Sequence, residues 1–190
     1  MQTDVLIVGV GGQGTLLASR ILGGLAVVGG FDCKLNEIHG MAQRGGSVVT
    51  HVRLADRVYS PVIEEGGADA ILAFEELEAL RYARYLKKGG IMIVNRQKIM
   101  PTTVITGAVG YPSEAERTLT ERYGAIMLDA LPLAVASGNA KTVNTVIIGL
   151  FARRTGVAYS DIERALELSV KPKLLEVNKK ALRAGYDAVL

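Results

Sequence analysis

Apolar residues along this chain follow two rhythms. Continuous apolar runs, such as T-D-V-L-I-V-G-V at Thr3 to Val10 and I-M-I-V-N at Ile91 to Asn95, alternate with stretches in which apolar residues return every three or four positions. Glycines punctuate the changes. Short apolar runs bounded by glycine suit strands buried on both faces, and the longer period suits helices with one apolar side. Strands are therefore expected at 4–9, 31–38, 47–54, 68–74, 91–95 and 125–129. Helices are expected at 14–28, closed by Gly29-Gly30, at 75–86, at 113–123, at 130–137 and 140–154, and from Ser160 and Pro172 onward. Ser113 with Glu116 three residues later has capping-box spacing. Thr102 to Ile105, between Pro101 and Pro112, reads as a shorter extended piece. Ala55-Asp56-Arg57 is expected to turn strand 47–54 back into Val58 to Pro61 as an antiparallel hairpin.

Strands alternating with helices predict an α/β fold, a three-layer α/β/α Rossmann-like sandwich. Its sheet is expected to be mostly parallel, with that antiparallel hairpin as a decoration. The 190 residues fit a single domain over 1–190, long enough to bury a core without a disulfide or metal. Apolar residues make up 49% of the chain and glycines number 22, a composition that suits such a sandwich or a subunit that buries surface against a partner. The net charge of +3 is slight, and no Lys/Arg run exceeds a pair, so no phosphodiester track and no nucleic-acid partner is expected. The apolar segments are too short or too interrupted for a membrane span or a leader, which points to a cytoplasmic protein. Cys33 is the single cysteine. It cannot form an internal disulfide, a zinc site or a cluster alone, and it reads as a small buried hydrophobe.

The candidate chemistry gathers behind the first strand. Gly9, Gly11 and Gly14 fit G-x-G-x-x-G, with Gly12 and Gln13 inside the turn and a helix former, Thr15 to Leu22, after it. The bare backbone and free N–H groups of a first helical turn make such a turn a seat for an anion. A tight βα turn that only packs is the alternative. Glu37 stands where a dinucleotide enzyme keeps its ribose-binding carboxylate, and equally where a solvent-facing glutamate would stand. The next residues run into His39-Gly40-Met41 instead of a helix. His39, in a glycine-rich loop, is a site candidate, whereas His51 alternates with apolar neighbours and reads as packed. Arg44, between Gln43 and Gly45-Gly46, has the reach for bidentate anion contact. Asn139 and Lys141, in G-N-A-K-T-V-N at 138–144, serve either as a helix cap or as a site.

Four segments together resemble a known family. They are G-V-G-G-Q-G at 9–14, H-G-M-A-Q-R-G-G-S-V-V-T-H-V-R at 39–53, G-N-A-K-T-V-N at 138–144 and A-L-R-A-G-Y at 181–186. In these the chain is similar to the gamma-type subunits of the 2-oxoacid:ferredoxin oxidoreductases, over nearly its whole length and nearest to the branch acting on arylpyruvates such as indolepyruvate. The resemblance implies a non-catalytic subunit supporting oxidative decarboxylation of a 2-oxoacid to an acyl-CoA, CO2 and reduced ferredoxin. Thiamine diphosphate and iron–sulfur clusters are then expected in a larger catalytic partner subunit, through which ferredoxin is reached, with coenzyme A as co-substrate. Gly11, Gly12, Gln13 and Gly14 would seat a CoA phosphate, and His39, Gln43 and Arg44 would close over the partner's cofactor. A stand-alone NAD(P)-binding oxidoreductase or redox-sensing module using Glu37, and a purely structural adaptor, are the competing readings.

Overall fold

The structure is a computed structural model that describes residues 2–40, 42 and 45–189. In chain order its elements are β1 (Thr3–Val10), α1 (Thr15–Gly29), β2 (Asp32–His39), β3 (Ser47–Ala55), β4 (Ala68–Ala73), α2 (Glu76–Tyr82), β5 (Leu86–Asn95), α3 (Thr102–Ile105), α4 (Ala115–Tyr123), β6 (Ile126–Leu128), α5 (Ala130–Ala136), α6 (Val143–Thr155), α7 (Tyr159–Ser169) and α8 (Pro172–Tyr186). The strands form one sheet in the order β2-β3-β1-β4-β5-β6.

Strand β1 is the spine. Val5 and Ile7 point into one core with α1 and α5 to α8, while Leu6 and Val8 point into the other with α2 and α4. All four side chains are fully buried. At roughly 2 kcal/mol each, their burial is comparable to the net stability of an ordinary domain. The apolar run is thus explained by helices on both faces of the sheet. Helix α6, apolar almost all round, lies in the chain's own core with Val146, Ile147, Ile148 and Leu150 fully buried. It approaches α8 so closely that a Cβ on Gly149 would meet the carbonyl oxygen of Leu182, and one on Gly185 would meet that of Val146.

The antiparallel part of the sheet differs from expectation. Val58 to Pro61 forms no strand. Strand β3 instead runs antiparallel to both β1 and β2, and the pairs β1·β4, β4·β5 and β5·β6 are parallel. Pro61 has no N–H for a ladder, and the segment is held from outside it. The Val58 N–H donates to Asp32 Oδ2 at 2.8 Å, and Arg53 Nη1 donates to the carbonyls of Ser60 and Val62.

Three boundaries also move. Helix α2 ends at Tyr82 and passes through a 3-10 turn, and β5 begins at Leu86. Thr102 to Ile105 is one helical turn because the Pro101 carbonyl accepts the N–H of both Val104 and Ile105. The capping box does not form: α4 is preceded by Glu114 without a side-chain cap, and the Glu116 carboxylate is engaged by Arg96 at 2.9 Å. Cys33 is half-buried and packs on the α1 side of the core.

Two measurements test this packing. Gly149→Ala is expected to cost about 2–3 kcal/mol of stability, because the added methyl meets backbone that cannot yield. The thermal midpoint would fall by roughly 5–10 °C, and an unchanged midpoint would refute the close crossing. The second concerns His51, which is buried and whose Nδ1 accepts the Ile63 N–H at 3.1 Å. Burial pushes this imidazole below the usual histidine range, so the folded protein keeps it neutral while the unfolded chain protonates below about pH 6.5. The stability it contributes is complete above that pH and declines as pH falls toward the depressed folded value. His51→Asn, which keeps an acceptor, should lose less stability than the wild type between pH near 7.5 and pH near 5.5 in parallel denaturant titrations. Glu76 and Glu78, raised by burial, act with the opposite sign in both proteins and cancel in the comparison.

A candidate anion-binding cleft at the strand ends

The turn after β1 is fixed by one side chain. Gln13 Oε1 accepts the Val10 N–H at 2.8 Å, and its Nε2 donates to the Phe74 carbonyl at 2.9 Å and to Gln97 Oε1 at 3.1 Å. The buried Asn95 completes the knot by donating to the same two oxygens. Gly9 lies under it, where a Cβ would come within 2.8 Å of Gln13 Oε1. Gly11 is also committed: its N–H donates to the Gly46 carbonyl at 2.9 Å, and its carbonyl accepts the Gly45 N–H at 3.3 Å. The Gln13 N–H returns to the Val10 carbonyl.

Gly12, with φ 104° and open space at its Cβ position, is left for a ligand to approach. Gly14 begins α1 with φ 84°, and a Cβ there would stand 2.5 Å from Asn144 Nδ2. That amide donates to the Gly14 carbonyl at 3.0 Å. Among the described residues no acceptor takes the N–H groups of Gly12, Thr15 or Leu16, and α1 has no acidic residue in its first turn. These N–H groups at the positive end of the helix are thus left without an acceptor, although the Glu37 carboxylate stands beside the first turn, 3.4 Å from Thr15 Oγ1.

A cleft of about 690 Å³ opens over this turn, within the range of small-molecule sites. Its walls include Gly12, Gln13, Gly14, Asn139, Lys141 and Asn144. Five of these six were expected from the sequence, and the structure brings them together although they lie more than a hundred residues apart. Leu17, Leu131, Val143 and Leu174 give it an apolar lining, and Lys173 adds a second cation. No carboxylate lines it.

Asn139 has the cap role: its Oδ1 accepts the Lys141 N–H at 2.9 Å. Sequence reasoning missed Asn144 and Asn178 as a working pair. Asn144 reaches Gly14, Thr145 Oγ1 donates to Asn178 Oδ1 at 2.7 Å, and Asn178 returns to the Leu174 carbonyl. The available signal was a pair of asparagines inside helices that are otherwise apolar on that side.

Glu37 is neither a free ribose ligand nor solvent-facing. Its carboxylate accepts from Thr50 Oγ1 at 2.9 Å and Thr15 Oγ1 at 3.4 Å and lies 2.7 Å from His39 Nε2. His39 is exposed at the same sheet edge, with β3 between it and β1, and it is not in the cleft wall. Gln43 and Arg44 lie outside the described residues. Among the described residues no group of three His, Cys, Asp or Glu could hold a metal ion, and no helix is long and apolar enough to cross a membrane.

With this geometry in place, comparison with known proteins is informative. Residues 4–188 match the family described as pyruvate ferredoxin/flavodoxin oxidoreductase. The chain is 43% identical to the indolepyruvate oxidoreductase subunit IorB of Pyrococcus horikoshii, over 97% of this chain and 95% of that one. In fold it is similar to the gamma subunit of a keto/oxoacid ferredoxin oxidoreductase from Geobacter sulfurreducens, with TM-score 0.72 and 24% identity, covering 97% and 96% of the two chains. It also matches 30% of a longer chain, the 2-oxoglutarate:ferredoxin oxidoreductase of Magnetococcus marinus solved with 2-oxoglutarate, coenzyme A and succinyl-CoA, with TM-score 0.72, 14% identity and 97% of this chain covered.

The knot separates a structural Gln13 from a ligand-binding one. Gln13→Leu leaves the Val10 N–H without a partner and takes one of two donors from the Phe74 carbonyl, which keeps Asn95, and should cost about 1–3 kcal/mol, read as a shift of the denaturant midpoint. An unshifted midpoint would mean that the amide is free to serve a ligand.

Proposed function

The chain belongs to the pyruvate ferredoxin/flavodoxin oxidoreductase family, and from that premise we propose that it is the small, coenzyme A-binding subunit of an indolepyruvate-type 2-oxoacid:ferredoxin oxidoreductase working in the cytoplasm. The preference for an arylpyruvate rests on the four relatives named as indolepyruvate oxidoreductase subunits, at 34–43% identity. The pyruvate and 2-oxoglutarate relatives are more distant, at 31% and 26%. Thiamine diphosphate, which activates the oxoacid carbonyl, and iron–sulfur clusters, which pass electrons to ferredoxin, are assigned to the larger partner subunit.

One observation carries the coenzyme A reading: bare backbone donors, two lysines and an apolar wall converge in a single cleft without a carboxylate. Coenzyme A asks for this combination, because it joins phosphates to a long, weakly polar arm. In this reading the N–H groups of Gly12 and of the first turn of α1 receive a phosphate, and Lys141 and Lys173 neutralise the remaining charge. Leu17, Val143 and Leu174 cover the arm and keep water from it, and the thiol end leaves the cleft toward the partner. Gln13 and Asn144 hold the turn in place from beneath. A stand-alone dinucleotide oxidoreductase is disfavoured, because the carboxylate it needs at Glu37 is already held by Thr15, Thr50 and His39.

The test uses the assembled two-subunit enzyme with ferredoxin or a dye as acceptor. Lys141→Ala combined with Lys173→Ala should raise the KM for coenzyme A about tenfold, with a steeper loss at high salt in the wild type, and leave the KM for the oxoacid unchanged. An unaltered KM for coenzyme A would remove the cleft from the reaction.

A further inference from the structure

The Gln13 knot leaves one of its amides half used. Gln97 Oε1 accepts from Gln13 Nε2 and from Asn95 Nδ2, each at 3.1 Å. Both partners are amide nitrogens, which only donate, so the Gln97 carboxamide faces them with its oxygen and not with its nitrogen. The direction of each partner is set in turn by the backbone. Gln13 Oε1 takes the Val10 N–H, Asn95 Oδ1 takes the Ala130 N–H at 3.2 Å, and both nitrogens reach the Phe74 carbonyl. Flipping any of the three amides would set donor against donor or acceptor against acceptor. The Gln97 nitrogen is therefore turned away from the knot, and among the described residues no acceptor takes either of its hydrogens.

The main chain of this residue is fixed as well. The Gln97 N–H donates to the Asn95 carbonyl at 2.7 Å, and its carbonyl accepts the Glu76 N–H at 3.0 Å. Just beyond it the buried Glu75 carboxylate holds the neck of loop 99–112, with Oε1 accepting the Ile99 N–H and the Tyr111 hydroxyl. A long side chain loses rotamer freedom when it binds a ligand, and here the fold has already removed that freedom. Gln97 is half-buried and lines the cleft, so its two hydrogens are presented at the cleft floor. Other amides share the wall. Among the described residues Asn139 uses only its oxygen, and Asn144 and Asn178 each spend one hydrogen on a carbonyl of the fold and keep the other. No carboxylate in the wall competes for these donors, so the cleft asks for acceptor oxygens.

Building on the reading that coenzyme A occupies this cleft, we propose that Gln97 is a ligand-binding residue whose Nε2 donates to an acceptor oxygen of the bound coenzyme A. A phosphate at the glycine turn and an amide carbonyl of the arm offer the same acceptor chemistry, and the nucleotide half of the ligand separates them. An oxygen placed on Nε2 polarises the amide and strengthens the bonds that its Oε1 accepts. The ligand thereby reinforces the knot that holds Gln13 and the turn.

The experiment uses the assembled two-subunit enzyme and reads the KM for coenzyme A beside the inhibition constant of 3′,5′-ADP, which is coenzyme A without its arm. Gln97→Glu keeps an oxygen for Gln13 and Asn95 and replaces the NH2 by an acceptor, so the knot stays and the donor goes. The KM for coenzyme A should rise at least about tenfold while the thermal midpoint of the complex stays in place. The new charge also repels phosphates, but salt screens that part, so the rise relative to wild type should persist in about 0.5 M salt. Gln97→Met, uncharged and of similar length, serves if the first variant fails to assemble and should raise the KM in the same direction. Gln13 and Asn95 there keep the Phe74 carbonyl as acceptor. An inhibition constant for 3′,5′-ADP that rises in step gives the oxygen to a phosphate, and one that holds still gives it to the arm. A KM for coenzyme A like that of the wild type in Gln97→Glu, or a rise that salt abolishes, overturns the proposal. The coenzyme A reading fails separately, on the Lys141 and Lys173 variant: if the lysines count and Gln97 does not, only the assignment of Gln97 falls.

Discussion

The carboxamide of Gln13 is the constraint on which the strand-end architecture rests. It satisfies a donor at the end of β1 and an acceptor just past β4, and reaches Gln97 beyond β5. Three strand ends are thereby held at fixed separations by one planar group. With Asn95 bonded to the same oxygens, the arrangement is a closed network in which no buried amide is left short. The glycines around it follow from this. Gly9 makes room for the carboxamide, and Gly14 makes room for Asn144. Gly12 faces outward in a conformation that favours glycine. The three motif glycines therefore do not divide their labour as in a dinucleotide turn, where the second faces the phosphate. Here the second, Gly11, is tied to Gly45-Gly46 and the extra glycine at 12 takes the open position.

Most of the fold was legible because its strands are buried on both faces. Runs such as V-L-I-V at β1 have few other places to go, and their helices announce themselves by period and by closing glycines at 30, 124 and 156. What the sequence did not disclose was pairing. The alternation of 47–54 identified a strand but could not say which neighbours it would choose, and the short turn at 55–57 suggested the wrong one. The ladder to β1 runs over eight residue pairs, and another eight pair β3 with β2. Val58 to Pro61, with a proline and few apolar residues, could not compete with either. Strand β3 running backward between β2 and β1 brings Gly45 and Gly46, just before it, beside the glycine turn, where both bond to Gly11.

The cleft was legible in part, and the reason is chemical. Gly12, Gln13, Gly14, Asn139 and Lys141 stood out because turn and cap residues have local signatures. Asn144, Asn178 and Gln97 did not, because their roles depend on partners 130, 33 and 84 residues away. Glu37 shows the limit of position along the chain. Position along the chain put Glu37 where a ribose ligand belongs, and only the structure shows two threonines and a histidine already occupying its oxygens.

Charge is sorted across the sheet edge in a way that assigns the two sides different tasks. Lys141 and Lys173 stand on the α6 and α8 side, over the glycine turn before α1, whereas Glu75, Glu76 and Glu78 are buried at the start of α2. Water-exposed lysines cost the fold little and remain available to an anion. Buried carboxylates are costly unless every oxygen is used, and in Glu75 and Glu78 they are used, on the neck of the 99–112 loop and on Ser47 and Arg81. Gln97 joins the two sides: its side chain sits in the Gln13 knot while its carbonyl accepts the Glu76 N–H at 3.0 Å. The neck of the loop and the floor of the cleft are therefore joined at Gln97 and again at the adjacent pair Phe74 and Glu75, whose carbonyl and carboxylate serve the Gln13 knot and the neck respectively.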